Sequence, residues 1–232
     1  MPSEEIDYRT LLEAIYAPFA NDVRKVVGIV IGHCNAIRAT GMTTDNSTSE
    51  QDCALLYLLA RFFERKHVFE IGTYIGTTAL AMNEAMKKTG GVVTTSDVID
   101  YRQLSPWSGI RFVPFGARVA LHILEEEERK LDFVFFDWKP DVRAFELLNA
   151  LCIQDAILAA HDCLPGMKGE EIVAELNKSY TNIQTGKWFF PEHGPSVLAD
   201  GFDINYCTAF FVPNSLLARI ERSDASNPPA EQ

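Results

Sequence analysis

The chain of 232 residues carries a formal net charge of −11 and is 47% hydrophobic. That length suits one sizeable α/β domain, and the composition is that of a globular chain rather than a disordered one. The acidic balance and the lack of a Lys/Arg cluster argue against a nucleic-acid partner. No apolar run approaches the roughly 20 residues that span a bilayer, so no membrane partner is expected.

The start, Met-Pro-Ser-Glu-Glu, lacks the basic and apolar regions of a signal peptide, and the expected location is cytoplasmic. Cys34, Cys53, Cys152, Cys163 and Cys207 form no C-x-x-C pair. They read as reduced thiols filling a core, not as a structural zinc site.

Residues 7–17 and 20–40 have helical spacing, interrupted at Pro18. Val23, Val26, Val27, Val30, Cys34 and Ile37 make one apolar stripe, able to pack on the main domain, cover a substrate or join two subunits. A polar connection over residues 41–49 offers an N-cap for a helix starting near Glu50. That helix carries Leu55, Leu56, Leu58, Leu59, Phe62 and Phe63, apolar nearly all round, and should be well buried.

Residues 68–81 read as strand, tight turn and helix. The strand closes on Glu70, and Gly72 and Gly76 frame Thr73-Tyr74-Ile75 in a G-x-x-x-G turn that leads into Thr77 and Thr78. Such a turn sets backbone N–H groups and a helix N-terminus against a ligand. It differs from the G-x-G-x-x-G of dinucleotide enzymes and from a lysine-containing phosphate loop. The strand over residues 92–97 ends in Asp97, about 20 residues past the turn, where a carboxylate accepts hydrogen bonds from ribose hydroxyls. This spacing is a sign of a nucleoside ligand, and the form of the turn argues against a dinucleotide.

A third strand over 109–115 precedes Gly116-Ala117-Arg118, which open a helix to about residue 130. Residues 131–137 and 155–162 read as buried strands ending in Asp137 and Asp162, with a helix over 141–152 between them. A helix over 169–179 and two strands over 183–190 and 204–212 follow, and the chain from Arg222 reads as a frayed tail. Alternating strands and helices imply a doubly wound, mostly parallel sheet with extra N-terminal helices. Ligands of such sheets bind outside the carboxyl ends of the strands, where Glu70, Asp97, Asp137 and Asp162 converge. Four carboxylates on one edge need cations or hydroxyls to satisfy them.

Glu-Ile-Gly-Thr-Tyr-Ile-Gly resembles the first motif of class I S-adenosylmethionine (SAM)-dependent methyltransferases, in particular small-molecule O-methyltransferases of the catechol and caffeoyl-CoA type. The resemblance runs from about Ser47 to Val212 and implies a seven-stranded sheet whose last strand is antiparallel. It divides the chain into an N-terminal helical segment (1–46) that covers the substrate or forms a homodimer, a SAM-binding domain (47–221) and a tail (222–232). It places Ser47, Glu70, Gly72, Thr73, Tyr74, Gly76, Thr77, Thr78, Asp97, Val98, Gly116, Ala117 and Asp137 around SAM.

It also implies Mg²⁺ or another divalent cation on Asp137 and Asp162, lowering the pKa of an acceptor hydroxyl. Two departures count against that site: Cys163 stands where relatives have Asn, and Pro140 where they have Lys, with Lys139 one position early. His161-Asp162 resembles a pair seen in antibiotic-biosynthesis O-methyltransferases. Without a metal, His161, His193 or Lys139 must serve as base. Alternating strand geometry would point His161 and Asp162 to opposite faces. Trp107, Trp138, Trp188, Phe189 and Phe190 either line an acceptor pocket or fill the core.

The expectation is methyl transfer to a hydroxyl of a small, perhaps aromatic, acceptor. The rivals are a metal-free N- or C-methyltransferase, another SAM-using enzyme and a non-catalytic SAM-binding partner subunit. An NAD dehydrogenase is disfavoured because Thr73-Tyr74 takes the place of the second fingerprint glycine.

Overall fold

A computed structural model describes residues 6–45, 47–103, 107–191 and 196–226, the last six as backbone only. Seven strands form one sheet in the order β3-β2-β1-β4-β5-β9-β6. They are β1 (His67–Ile71), β2 (Val92–Ser96), β3 (Ile110–Val113), β4 (Leu131–Phe136), β5 (Cys152–Ala160), β6 (Gly186–Phe189) and β9 (Ala209–Pro213). β1 to β5 pair in parallel, whereas β9 runs antiparallel between β5 and β6. The strand order reverses at the β1–β4 junction, where a doubly wound sheet opens its crevice.

Period-two alternation sorts the strand residues between two cores. Val68, Val93, Phe133, Phe135, Ile157 and Phe210 face one core. It is shared by α1 (Tyr8–Tyr16), α2 (Ala20–Arg38), α3 (Glu50–Phe62), α4 (Thr77–Thr89) and α8 (Asn214–Ser226). Phe69, Ile71, Val134, Phe136, Leu158 and Phe211 face the other, beneath α5 (Ala117–Glu126), α6 (Val142–Leu151) and α7 (Lys168–Ser179). Leu55, Leu56, Leu58 and Leu59 of α3 are all fully buried, each contributing about 1.5–3 kcal/mol. Ser49 starts that helix by accepting from the Asp52 N–H at 3.1 Å.

The α2 stripe packs on the main domain, where Val23, Val26 and Val30 enter the core beside α3 and α4. His33 on the same helix bonds the Ile75 carbonyl at 2.7 Å and so braces the glycine turn. No helix among the described residues is long and apolar enough to cross a membrane. All five cysteines are buried and free.

The last third of the chain departs from the sequence reading. Residues 183–185 form a 3₁₀ turn before β6. The strand expected over 204–212 is broken: β8 (Asp203–Ile204) pairs with β7 (Ser196–Val197) outside the main sheet, and β9 begins at Ala209. The break sits at Asn205, whose φ of 54° is left-handed. Asn205 closes its own turn, its amide donating to the Thr208 carbonyl and its carbonyl accepting the Thr208 N–H. Of the tail expected from Arg222, residues 222–226 continue α8 and residues 227–232 lie outside the described residues.

Candidate active site

The parallel strands end level. Ile71 lies beside Ser96 and Phe136, and Phe136 beside Ala160. Gly72, Asp97, Asp137 and His161 therefore leave the sheet at one edge. Ladder bonds continue past the strands: Asp137 and Trp138 donate to the Ile71 carbonyl at 2.9 and 3.0 Å, and His161 donates to Phe136 at 2.9 Å.

The turn after β1 is shaped by left-handed residues, with φ of 87° at Gly72, 45° at Tyr74 and 80° at Gly76. A Cβ on Gly76 would stand 2.6 Å from the Trp107 indole, so this glycine is required by packing as well as by conformation. Asp97 Oδ2 accepts the Thr73 and Tyr74 N–H groups at 2.9 and 2.8 Å, and Oδ1 accepts that of Ile99 at 3.2 Å. Three of about four acceptor positions on the carboxylate are thereby used, leaving one for a ligand hydroxyl.

Glu70 lies beneath the turn, fully buried. The Thr78 and Thr95 hydroxyls donate to its two oxygens, and the Thr73 hydroxyl bonds that of Thr95. Burial raises the Glu70 carboxyl to about 8, outweighing the lowering by these two hydroxyls.

One cavity of about 1010 Å³ runs along the edge. One end is walled by Gly72, Tyr74, Asp97, Val98, Gly116 and Ala117, the other by Asp52, Asp137, His161, Asp162, Lys168 and Cys207. Six aspartates line it (45, 52, 97, 137, 141 and 162), against Arg118, Lys139, Lys168 and His161.

At the second end His161 Nδ1 lies 2.9 Å from Asp137 Oδ1 and 3.4 Å from Asp162 Oδ1. Both residues of the His-Asp pair reach the cavity because Asp162 is left-handed (φ 57°), which ends the strand alternation that would have separated them. Burial alone would lower the imidazole pKa, but Asp137 and Cys207 beside it raise it to about 11. The Lys168 ammonium stands 3.2 Å from Asp162 Oδ2 and 3.5 Å from Asp137 Oδ1. Thr48 donates to the remaining Asp137 oxygen at 3.3 Å.

Of the residues singled out in the sequence, Ser47, Gly72, Tyr74, Asp97, Val98, Gly116, Ala117, Asp137, Lys139, His161 and Asp162 line the cavity. Glu70, Thr73, Gly76, Thr77 and Thr78 do not: Glu70 and the three threonines are buried, and Gly76 closes the turn against Trp107. Lys139 reaches the rim but turns away, its ammonium 2.5 Å from Glu171 Oε2. His193 lies outside the described residues.

Of the aromatics, Trp138 is on the wall, Trp107 packs on Gly76, and Trp188 stacks near Phe211 and Phe190 at the far edge of the sheet. Sequence reasoning missed Lys168, Asp52 and Cys207. Lys168 opens α7 and Asp52 lies in the first turn of α3, so only the tertiary contacts bring them to the strand ends.

The Asp137–Asp162 pair does not fit the expected Mg²⁺ site. The Lys168 ammonium already bridges the two carboxylates. Cys163, in the place of the third oxygen ligand, is buried with its thiol toward the Ala160 carbonyl at 3.2 Å, and a thiol is a poor ligand for that hard cation.

This strand order is that of the methyltransferase fold, and several of the structural neighbours are O-methyltransferases. The O-methyltransferase from Bacillus cereus, solved in complex with S-adenosylhomocysteine (SAH), superposes with a TM-score of 0.57 at 18% identity, covering 82% of this chain and 91% of that one. Cofactor-bound Rv0187 from MTB gives 0.55 at 16% identity over 90% and 99%. TomG from Streptomyces achromogenes, an O-methyltransferase involved in tomaymycin synthesis and solved with SAM, gives 0.52 at 18% over 79% and 88%. No protein-family model matches the chain, and no curated protein is similar to it in sequence. At these identities the likeness carries the fold.

Proposed function

We propose that the chain is a SAM-dependent methyltransferase acting on a hydroxyl of a small, aromatic acceptor. One observation carries the reading: a single cavity joins the Gly72–Asp97 end, suited to a nucleoside, to the Asp137–His161–Asp162–Lys168 cluster. The first end fits the cofactor. Asp97 keeps one acceptor position for a ribose hydroxyl, Val98, Gly116 and Ala117 offer a small-residue wall for a flat base, and a Cβ on Gly116 would meet nothing, so that wall is open. The excess of aspartates over cations favours a sulfonium. Bound SAM supplies a methyl group on an already activated carbon.

The chain's own task is to hold the acceptor in line and take its proton. An acceptor hydroxyl at the second end donates to Asp137 or Asp162. Lys168 then faces the oxygen as negative charge develops on it, a preorganised cation in a partly desolvated site. Trp138, two-thirds exposed on the cavity wall, and Tyr206 supply flat surfaces for an aromatic ring.

The test is calorimetric titration of SAH into the protein, followed by SAM turnover on a panel of hydroxylated aromatic acceptors, read as SAH released. Binding of SAH with acceptor-dependent release is expected. Failure to bind SAH would overturn the reading; SAH binding without turnover on any acceptor would favour a non-catalytic partner subunit.

A further inference from the structure

Three side chains from distant parts of the chain meet on the cavity wall: Asp52 of α3, His161 after β5 and Cys207 before β9. One ligand-type atom from each lies within 4.8 Å of the other two, and among the described residues no other group of three does this. The group excludes Asp137 and Asp162, the pair expected to take Mg²⁺.

Each member is fixed. Asp52 Oδ1 accepts the N–H groups of Tyr206, Cys207 and Thr208 at 3.0–3.1 Å, in the turn that Asn205 creates by breaking the last strand. That leaves Oδ2, which accepts the Ser49 hydroxyl, 3.7 Å from Cys207 Sγ and 3.9 Å from His161 Nε2. His161 is held from behind through Nδ1 by Asp137 at 2.9 Å. Backing of a ligating imidazole by a carboxylate is the usual outer arrangement of a metal-bound histidine. The Cys207 carbonyl accepts the Cys163 N–H at 2.7 Å, fixing its backbone on a second side.

We propose that Asp52, His161 and Cys207 form a site for a borderline divalent cation of the zinc class, with its fourth position open to the cavity. Tetrahedral zinc with bonds of about 2.0–2.3 Å separates its ligand atoms by about 3.3–3.8 Å, and the two separations above lie close to that range. One oxygen, one nitrogen and one sulfur suit zinc and its neighbours and disfavour Mg²⁺ or Ca²⁺. Three protein ligands with an open position is the pattern of reactive rather than structural zinc. The binding site stands on its own geometry. Its use, to hold the acceptor oxygen beside Lys168, rests on the function proposed above.

The experiment is titration of the chelator-treated full chain with Co²⁺ alone, followed by optical absorption. The expected spectrum has a near-ultraviolet thiolate-to-cobalt band and visible bands of tetrahedral intensity, saturating at one equivalent and displaced by Zn²⁺ but not by Mg²⁺. Cys207→Ser should abolish the thiolate band, Asp52→Asn should weaken cobalt binding by about tenfold or more, and Cys34→Ser should leave both unchanged. Thermal unfolding of each variant identifies any that fails to fold, and the wild-type spectrum decides the matter without them. A wild-type titration with no thiolate band, or a band that survives Cys207→Ser, overturns the site. Because the spectrum is read without SAM or acceptor, its failure alongside intact SAH binding would leave the methyltransferase reading standing.

Discussion

At the scale of residues, the cavity pairs acids with cations by position rather than by sequence neighbourhood. Lys168 shows what this means for activity. Its ammonium separates two carboxylates that would otherwise repel each other at that end of the cavity, and it stands over the Trp138 ring, with Nζ 5.6 Å from the centroid. Lys168→Met keeps the stem and removes the charge. On the function proposed above, the expected result is a fall in methyl transfer of about 100-fold with SAH affinity unchanged, because the Gly72–Asp97 end is untouched. Steady-state kinetics beside SAH calorimetry checks this. An equal loss in both would mean that Lys168 organises the whole cavity rather than the acceptor oxygen. Lys139 is the contrasting case. It stands closer in sequence to Asp137, yet its pairing with Glu171 on the rim makes Lys139→Ala the milder change.

At the scale of elements, the site depends on how closely α7 docks on the end of β5. Gly169 donates to the Asp162 carbonyl at 2.9 Å, and a Cβ there would sit 2.2 Å from the His161 oxygen and 2.5 Å from Cys163 Sγ. Only a glycine allows that approach. Gly169→Ala is expected to destabilise the fold by about 1–3 kcal/mol and to lower turnover, since Lys168 and His161 flank the clash. Denaturant unfolding of the variant measures the first effect. Unchanged stability would show that the helix can back away at little cost. Elements also explain why part of the sequence reading failed. A β-rich run over residues 204–212 looks like one strand, but the turn at Asn205 directs three backbone N–H groups to the Asp52 carboxylate, that of Thr208 shared with Asn205 Oδ1. Local propensity carries no record of a partner 150 residues away.

At the scale of the whole molecule, the buried Glu70 links stability to pH. Its carboxyl titrates at about 8 in the folded state, against about 4.3 in the unfolded chain. Between those values the folded protein holds a proton that the unfolded chain has released, so this group's stabilising share falls as pH rises through the window. Above the folded pKa the effect levels off. Glu70→Gln removes the titration, so the variant should gain stability relative to the wild type from about pH 5 to about pH 8. Urea unfolding across that range measures the difference. Parallel curves would mean that Glu70 ionises normally, with the Thr78 and Thr95 hydroxyls satisfying its charge.

The sequence by itself determined the sheet, the glycine turn and the level row of strand-end residues. Each of these rests on local periodicity: alternation in strands, helical stripes, glycines at left-handed positions and acids where parallel strands stop. It also pointed to most of the residues that line the turn end of the cavity, because the turn and Asp97 lie within one strand-helix-strand unit. The tertiary structure alone decided that Glu70 supports the turn from beneath, that Asp162 turns back beside His161, and that Lys168 takes the place between the two aspartates. The same holds for the meeting of Asp52, His161 and Cys207. These depend on helix docking and strand register across long separations, and a side chain's partner there is set by packing that no neighbouring residue encodes.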